Sequence, residues 1–123
     1  MERDFKSLAQ SCGVRVTLTR CQMLGTTRDG ACEFTASRGQ IDSLVRSLNL
    51  KPVEPGSEEE ASLKRIESSS PYSWSAKAAL ERYFSARRPK ELVLKNGSAF
   101  EYLILIYNPN SGRALARLSY AYG

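Results

Sequence analysis

Carboxylates are the side chains that could carry chemistry here, because the chain of 123 residues contains no histidine. Without histidine it cannot build an ordinary serine or cysteine triad or a histidine-ligated metal site. Glu33 and Glu101 both fall on predicted strands, and a pair of carboxylates can hydrolyse a glycosidic bond. Nothing in the sequence places these two glutamates together. We therefore expect a non-enzymatic protein without a cofactor or metal, and keep a small carboxylate-dependent enzyme as an alternative.

The three cysteines, Cys12, Cys21 and Cys32, leave two interpretations open. An odd number cannot all pair within one chain, and their spacing contains no C-x-x-C element. Cys21 and Cys32 flank a predicted hairpin turn, so they could form a disulfide across it, which is typical of an oxidising compartment. The interpretation that we favour from sequence alone is three small buried residues with free thiols.

Arginine and lysine give the chain a formal net charge of +5, and this excess is unevenly distributed. Residues 71–123 carry eight basic and three acidic side chains, whereas residues 54–70 carry two and five. A basic half can attract nucleic acid, anionic lipid or acidic protein. A nucleic-acid site would use Arg15, Arg82, Arg87, Arg88, Lys90, Arg113 and Arg117, with Tyr102, Tyr120 and Tyr122 for stacking. No RNP1-like run or GXXG clamp accompanies them.

The arginines of the basic half could instead belong to a protein-interaction surface. Pro71-Tyr72-Ser73-Trp74 places two large aromatic side chains beside an irregular segment, and such side chains commonly anchor interfaces. They could equally form a hydrophobic staple onto the following helix. The candidate interaction surface predicted from sequence is Tyr72, Trp74, Arg87, Arg88, Arg113 and Arg117.

Residues 99–107 are predicted to form the central strand of the fold. Both alternating faces are apolar toward its C-terminal half, as in a strand that is covered on both sides. Residues 14–20 and 32–36 alternate as a half-buried hairpin. Ser37 and Gln40 fit a capping box that starts a helix, which ends by Asn49.

The second half of the chain is predicted to contain an irregular stretch, a helix and two further strands. Residues 51–72 form an irregular, partly flexible excursion, and residues 73–87 form a second helix that Arg87 and Arg88 complement at its C-terminus. Strands over 91–95 and 113–122 complete a meander, with Asn96-Gly97 as a hairpin turn. Residues 1–12 are a polar lead-in with at least one helical turn.

These elements predict a single α+β domain over residues 1–123, in the order β-β-α-(α)-α-β-β-β. One antiparallel sheet of about five strands carries two main helices on one face. No apolar run approaches the roughly 20 residues of a membrane helix. The N-terminus lacks the apolar core of a signal peptide, which slightly favours the cytoplasm, although an exported mature domain is an alternative.

We expect a small binding or regulatory module whose partner is a protein or a second copy of the chain. Its terminal strand could pair with its copy at a sheet edge. Nucleic-acid binding through the basic half is the second hypothesis, and its affinity should fall steeply with salt. A small-molecule ligand is a further alternative.

Overall fold

The computed structural model describes residues 1–23, 28–58, 60–61, 63 and 80–121. Within these residues it contains two ten-residue α-helices, one antiparallel sheet, and helical backbone at residues 58, 60, 61 and 63. The helices are α1 (Glu2–Ser11) and α2 (Arg38–Ser47), and the strands are β1 (Thr17–Met23), β2 (Asp29–Thr35), β3 (Lys51–Pro52), β4 (Glu81–Phe84), β5 (Phe100–Tyr107) and β6 (Arg113–Tyr120). The α+β class is confirmed, but the sheet has six strands where about five were expected.

The strand order is β1-β2-β6-β5-β4-β3, so β5 and β6 occupy the middle of the sheet. In β5, Leu103, Leu105 and Tyr107 lie on the face that packs against the helices, and Ile106 lies on the opposite face. All four side chains are buried. The expectation of a central strand covered on both sides is therefore confirmed for β5.

Two apolar clusters lie on the two faces of the sheet. On the face that we call the helix face, Phe5 of α1 packs against Phe34 of β2 with ring centroids 5.1 Å apart, and α2 adds Ile41 and Leu44. On the opposite face, which we call the second face, Ala31, Ile106 and Leu115 are buried together, and Leu80 and Ile104 pack against them. The helix-face cluster joins both helices to the strands, and three strand residues form the buried centre of the second cluster.

The first hairpin, β1 with β2, places Cys21 directly opposite Cys32. The two sulfur atoms are bonded, which is the alternative that we did not favour from sequence, and Cys12 is a free cysteine. The helix that follows has the capping box that its sequence predicts. The Gln40 backbone N–H donates to Ser37 Oγ at 3.2 Å, and the Ser37 backbone N–H donates to Gln40 Oε1 at 2.8 Å.

The predicted helix over 73–87 is wrong where the structure describes it, because Glu81–Phe84 is strand β4. Its first residues, 73–79, lie outside the described residues. β4 pairs with β5 on one side and with β3 on the other. Hydrogen bonding to the open side of β5 stabilises an extended backbone here, and this tertiary pairing outweighs the helical spacing of the apolar residues.

The strand predicted over 91–95 is also wrong. Residues Lys90–Leu92 form a 3-10 turn, and Val93 makes only an isolated bridge to Ala99. Leu92 and Leu94 still point into the helix-face core. The Asn96-Gly97 turn is present, with Gly97 at a φ of +89° and the Leu94 backbone N–H donating to the Ser98 carbonyl at 2.7 Å.

The sheet order corrects one further expectation. β6 lies between β2 and β5, so the terminal strand has no free edge with which to pair with a second copy. The two helices that carry the helix-face core are α1 and α2, instead of the predicted pair over 37–49 and 73–87. Within the described residues, no helix is long and apolar enough to span a membrane.

Candidate anion-binding site

Glu101 occupies an irregular position at the start of β5. The register between β5 and β6 shifts between Phe100 and Tyr102, so Glu101 is the extra residue of a β-bulge, a feature that redirects a side chain. Glu101 is only 6% exposed. Because a carboxylate that is shielded from water and unpaired is destabilising, this side chain needs cationic partners.

Three arginines supply those partners. Arg28 Nη2 lies 2.9 Å from Glu101 Oε2, Arg87 Nε lies 3.0 Å from Oε1, and Arg88 Nε lies 3.7 Å from the same Oε1. We call these four residues the Glu101 arginine group. Three guanidinium charges around one carboxylate leave the group with a net charge of +2.

The backbone after β4 places Arg87 and Arg88. The Ser85 N–H donates to the Leu103 carbonyl at 2.9 Å, and the Arg88 N–H donates to the Glu101 carbonyl at 2.6 Å, so this segment runs along β5. Arg88 has a φ of +53°, a left-handed conformation that costs a side-chain-bearing residue roughly 1–2 kcal/mol. Consecutive side chains of a regular strand point to opposite faces, whereas here both reach one oxygen.

Arg28 approaches from the other side of Glu101. It directly precedes β2 and is held against the end of β6, because the Tyr120 N–H donates to the Arg28 carbonyl at 2.8 Å. Arg28 Nε donates in return to the Tyr120 carbonyl at 3.1 Å. The backbone of β6 therefore fixes the guanidinium that contacts Oε2.

The charges of the group act on the pKa of Glu101. The hydrogen bond from Arg87 is the largest influence and lowers this pKa, with further lowering by the nearby charges of Arg28 and Arg88. The carboxylate is therefore ionised at neutral pH. The side chains of Arg87 and Arg88 are 82% and 72% exposed, so their positive charge faces solvent.

A second arginine group surrounds Glu33 on the second face. Arg20 Nε lies 3.2 Å from Glu33 Oε2, and Arg113 donates to Oε1 from both Nε and Nη2. Arg113 starts β6, and Tyr120, which contacts Arg28, ends it. Seven strand steps separate these positions by roughly 23 Å, so the two groups are distinct.

Between them on the second face, Tyr102 lies near Asp29 and Arg117. Burial is the main cause that raises the pKa of Tyr102; the Asp29 charge raises it further and the Arg117 charge opposes this shift. Tyr120 stacks on Phe100 with ring centroids 4.9 Å apart, and its hydroxyl donates to Asp4 Oδ2 at 2.5 Å. No aromatic side chain among the described residues is exposed.

A third ionic network fastens α2 to β4. Arg38 donates to both carboxylate oxygens of Glu81, with Nη1 2.7 Å from Oε1, and the Tyr83 hydroxyl donates to Oε1 at 2.7 Å. The hydrogen bond from Arg38 is the main cause that lowers the pKa of Glu81. The Arg38 guanidinium also lies 5.2 Å from the centre of the Tyr107 ring. These contacts join a helix to a strand, so we assign them to the fold.

The structure separates the residues of the predicted interaction surface. Arg87 and Arg88 come together on Glu101, and they do not complement a helix C-terminus as predicted. Arg113 belongs to the Glu33 group, and Arg117 lies near Tyr102. Tyr72 and Trp74, like Tyr122, lie outside the described residues.

Sequence reasoning missed Arg28, Arg20 and the role of Glu101. The role of Glu101 could have been predicted, because Glu101 is the only charged residue in the apolar stretch 99–107. A carboxylate on a buried strand requires a cation. The identity of that cation could not be read from sequence, since Arg28 lies 73 positions away.

Comparisons with protein-family models, curated proteins and solved structures find no significant match to this chain. Among the described residues, no three histidine, cysteine, aspartate or glutamate side chains lie close enough together to hold a metal ion. The candidate site is therefore inferred from its geometry alone. It consists of a solvent-facing pair of arginines beside a buried carboxylate.

Proposed function

We propose that this protein is a non-enzymatic binding domain that recognises an acidic segment of a partner protein through Arg87 and Arg88. The observation that carries the proposal is the charge of the Glu101 arginine group. One arginine is enough to neutralise Glu101, yet three converge on it, and two of them are largely exposed. The surplus positive charge is available to an anion from outside.

The orientation of the two arginines supports this proposal. Both approach Glu101 through Nε. The two terminal nitrogens of a guanidinium form a planar fork that can bind a carboxylate with two parallel hydrogen bonds. Glu101 therefore holds Arg87 by a hydrogen bond and Arg88 by an ion pair at their Nε atoms, and the outer nitrogens can contact a partner.

Nucleic-acid binding is the second hypothesis, supported by the arginines of the Glu33 group. The partial burial of Tyr102 and Tyr120 weighs against it, because stacking platforms present exposed rings to the bases. An acidic protein segment needs only the carboxylate contacts that exposed arginines provide. Binding of an acidic protein segment is accordingly the function that the geometry supports best.

The test is fluorescence anisotropy with a labelled oligoglutamate peptide. Labelled single-stranded and duplex oligonucleotides are titrated separately, as probes of the nucleic-acid hypothesis. We expect Arg87→Ala/Arg88→Ala to weaken peptide binding about tenfold at low salt, because two partly exposed charge contacts contribute roughly 1.4 kcal/mol together. Raising the salt to near-physiological concentration should reduce the difference.

The matched control is Arg3→Ala/Arg46→Ala, which removes the same charge from exposed positions on α1 and α2. It should leave most of the peptide affinity intact. Equal losses in both double variants would show that only net charge matters and would contradict the proposal. Tighter binding of an oligonucleotide than of the peptide, lost in Arg87→Ala/Arg88→Ala, would favour the nucleic-acid hypothesis instead.

A further inference from the structure

We infer that the anion which the Glu101 arginine group is built to hold is a phosphate monoester on a polypeptide, such as a phosphorylated serine, threonine or tyrosine. This inference rests on the proposed function and narrows its ligand. It is argued from the residual charge of the group, from the donors that Arg87 and Arg88 present, and from what surrounds them.

The residual charge matches a dianion. The group consists of three guanidinium groups and one carboxylate, so its net charge is +2. A carboxylate from a partner would neutralise only one of them. A phosphate monoester carries about −1.5 to −2 at neutral pH, so it can neutralise the group in one contact.

The donors also suit a phosphoryl group. Adjacent guanidinium groups can donate to different oxygens of one phosphate, which has three acceptor oxygens, whereas a carboxylate has two. The left-handed backbone at Arg88 brings the Nε atoms of both side chains to the same oxygen of Glu101, so the two guanidinium groups are close together. Strained backbone of this kind clusters at ligand-binding positions.

The surroundings favour a polypeptide over the other phosphate carriers. Nucleic-acid phosphates are diesters with a single charge each, and their binding commonly adds exposed rings, whereas the rings among the described residues are buried or half-buried. Stable membrane attachment needs apolar insertion in addition to charge. Val93 is the only large apolar side chain that is exposed among the described residues.

The experiment compares four probes with one scaffold, an acetylated and amidated Ala-Ala-X-Ala-Ala peptide. X is phosphoserine, aspartate, serine or sulfotyrosine, and binding is followed through the arginine Nε–H resonances of the full chain by NMR titration. We expect the phosphoserine peptide to bind about tenfold more tightly than the aspartate peptide because of its second charge and third oxygen. The resonances of Arg87 and Arg88 should shift most.

The pH dependence provides a second readout. The second pKa of the phosphoryl group is near 6, so between pH 7.0 and pH 5.0 the dianion falls about tenfold in population. The chain has no histidine, and the lowered pKa of Glu101 keeps its carboxylate ionised over this range beside Arg28, Arg87 and Arg88. Because the monoanion that replaces it should still bind about as well as the aspartate peptide, phosphoserine binding should weaken about fivefold. Sulfotyrosine binding, with one charge that does not titrate here, should stay constant.

Each outcome separates this inference from the function on which it rests. Equal binding of the phosphoserine and aspartate peptides, both lost in Arg87→Ala/Arg88→Ala, would overturn the inference and leave the acidic-segment proposal standing. Loss of phosphoserine binding in Arg3→Ala/Arg46→Ala as well would overturn both. Tighter binding to phosphatidic acid vesicles or to a single-stranded oligonucleotide than to the phosphoserine peptide would assign the phosphate to a lipid or a nucleic acid.

Discussion

Glu101 is a single charged residue at a position where the strand is otherwise apolar, and its surroundings determine its behaviour. The bulge at Glu101 turns its side chain toward Arg28, Arg87 and Arg88. Burial alone would favour the protonated acid, but the hydrogen bond from Arg87 outweighs it, and the pKa falls below its usual range. The ion pairs of Glu101 contribute to folding only while its carboxyl group is ionised.

At the residue scale we therefore predict an acid-sensitive contribution from Glu101. A carboxyl whose pKa is lowered on folding stabilises the native state above its unfolded pKa, near 4.3. That contribution is lost as pH falls through the lower, folded pKa. Glu101→Gln should reduce the free energy of unfolding at pH 6 and should flatten its decline toward pH 3, as measured by urea unfolding at each pH.

The control for this measurement is Glu54→Gln, which removes one negative charge at an exposed position. It should not reduce the free energy of unfolding at pH 6 as Glu101→Gln does. If Glu101→Gln were as stable as the native protein at pH 6 and declined as steeply on acidification, the ion pairs of Glu101 would contribute nothing to folding. Glu81, whose pKa Arg38 lowers, adds to the same acid sensitivity and remains in both variants.

At the scale of elements, the first hairpin joins β1 to the rest of the sheet. β1 lies at the edge and pairs only with β2 in the described sheet. Cys32 is fully buried in the helix-face core, and Cys21, its bonded partner, packs against that core from β1. The disulfide therefore ties an edge strand whose residues are exposed or half-buried to an interior strand with five buried residues.

Removing this bond should destabilise the protein measurably. The two cysteines are 11 positions apart, and closing a loop of about that length in the unfolded chain contributes about 3 kcal/mol. We expect Cys21→Ala/Cys32→Ala to lower the free energy of unfolding by roughly this amount in urea. Cys12→Ala, at the free cysteine, should change it less.

Alkylation under denaturing conditions checks the pairing directly. The oxidised protein should react at one thiol, Cys12, and the reduced protein at three. Reaction at three thiols without reductant would restore the interpretation of free cysteines, and the double variant should then cost only the packing of two small side chains.

For the whole molecule, the sheet is buried on two faces that differ in construction. Both helices pack on the helix face with Phe5, Phe34 and their neighbours. The second face buries a smaller cluster with Leu115 and Ile106 at its centre, although the charged residues of the Glu33 group lie on the same face. Folding therefore depends on apolar burial on both sides of β5 and β6.

This arrangement predicts that the second face contributes substantially to stability. Leu115→Ala should lower the free energy of unfolding by about 2–5 kcal/mol, since Leu115 is only 1% exposed. Val93→Ala, at an exposed apolar residue, should change it by less than about 0.5 kcal/mol. Urea unfolding followed by circular dichroism measures both. A cost for Leu115→Ala as small as that for Val93→Ala would mean that the second face is not a core.

Local patterns were enough to predict several elements correctly. The alternation in residues 99–107 predicted β5 and its burial, and the Ser37 and Gln40 pair predicted the start of α2. These elements follow from short-range rules, in which neighbours along the chain satisfy each other's hydrogen bonds or repeat with the period of a strand or helix. Such rules hold before any distant contact forms.

By itself, therefore, the sequence determined the α+β class, the central strand, the capped helix and the absence of histidine chemistry. Only the tertiary structure decided that Glu81–Phe84 is a strand, because β5 offers hydrogen bonds that the local pattern cannot encode. It alone brought Arg28, Arg87 and Arg88 to Glu101. A carboxylate on a buried strand predicts that cations lie nearby. Which cations pair with it depends on the sheet order and on the backbone turn at Arg88, and both arise from contacts distant in sequence.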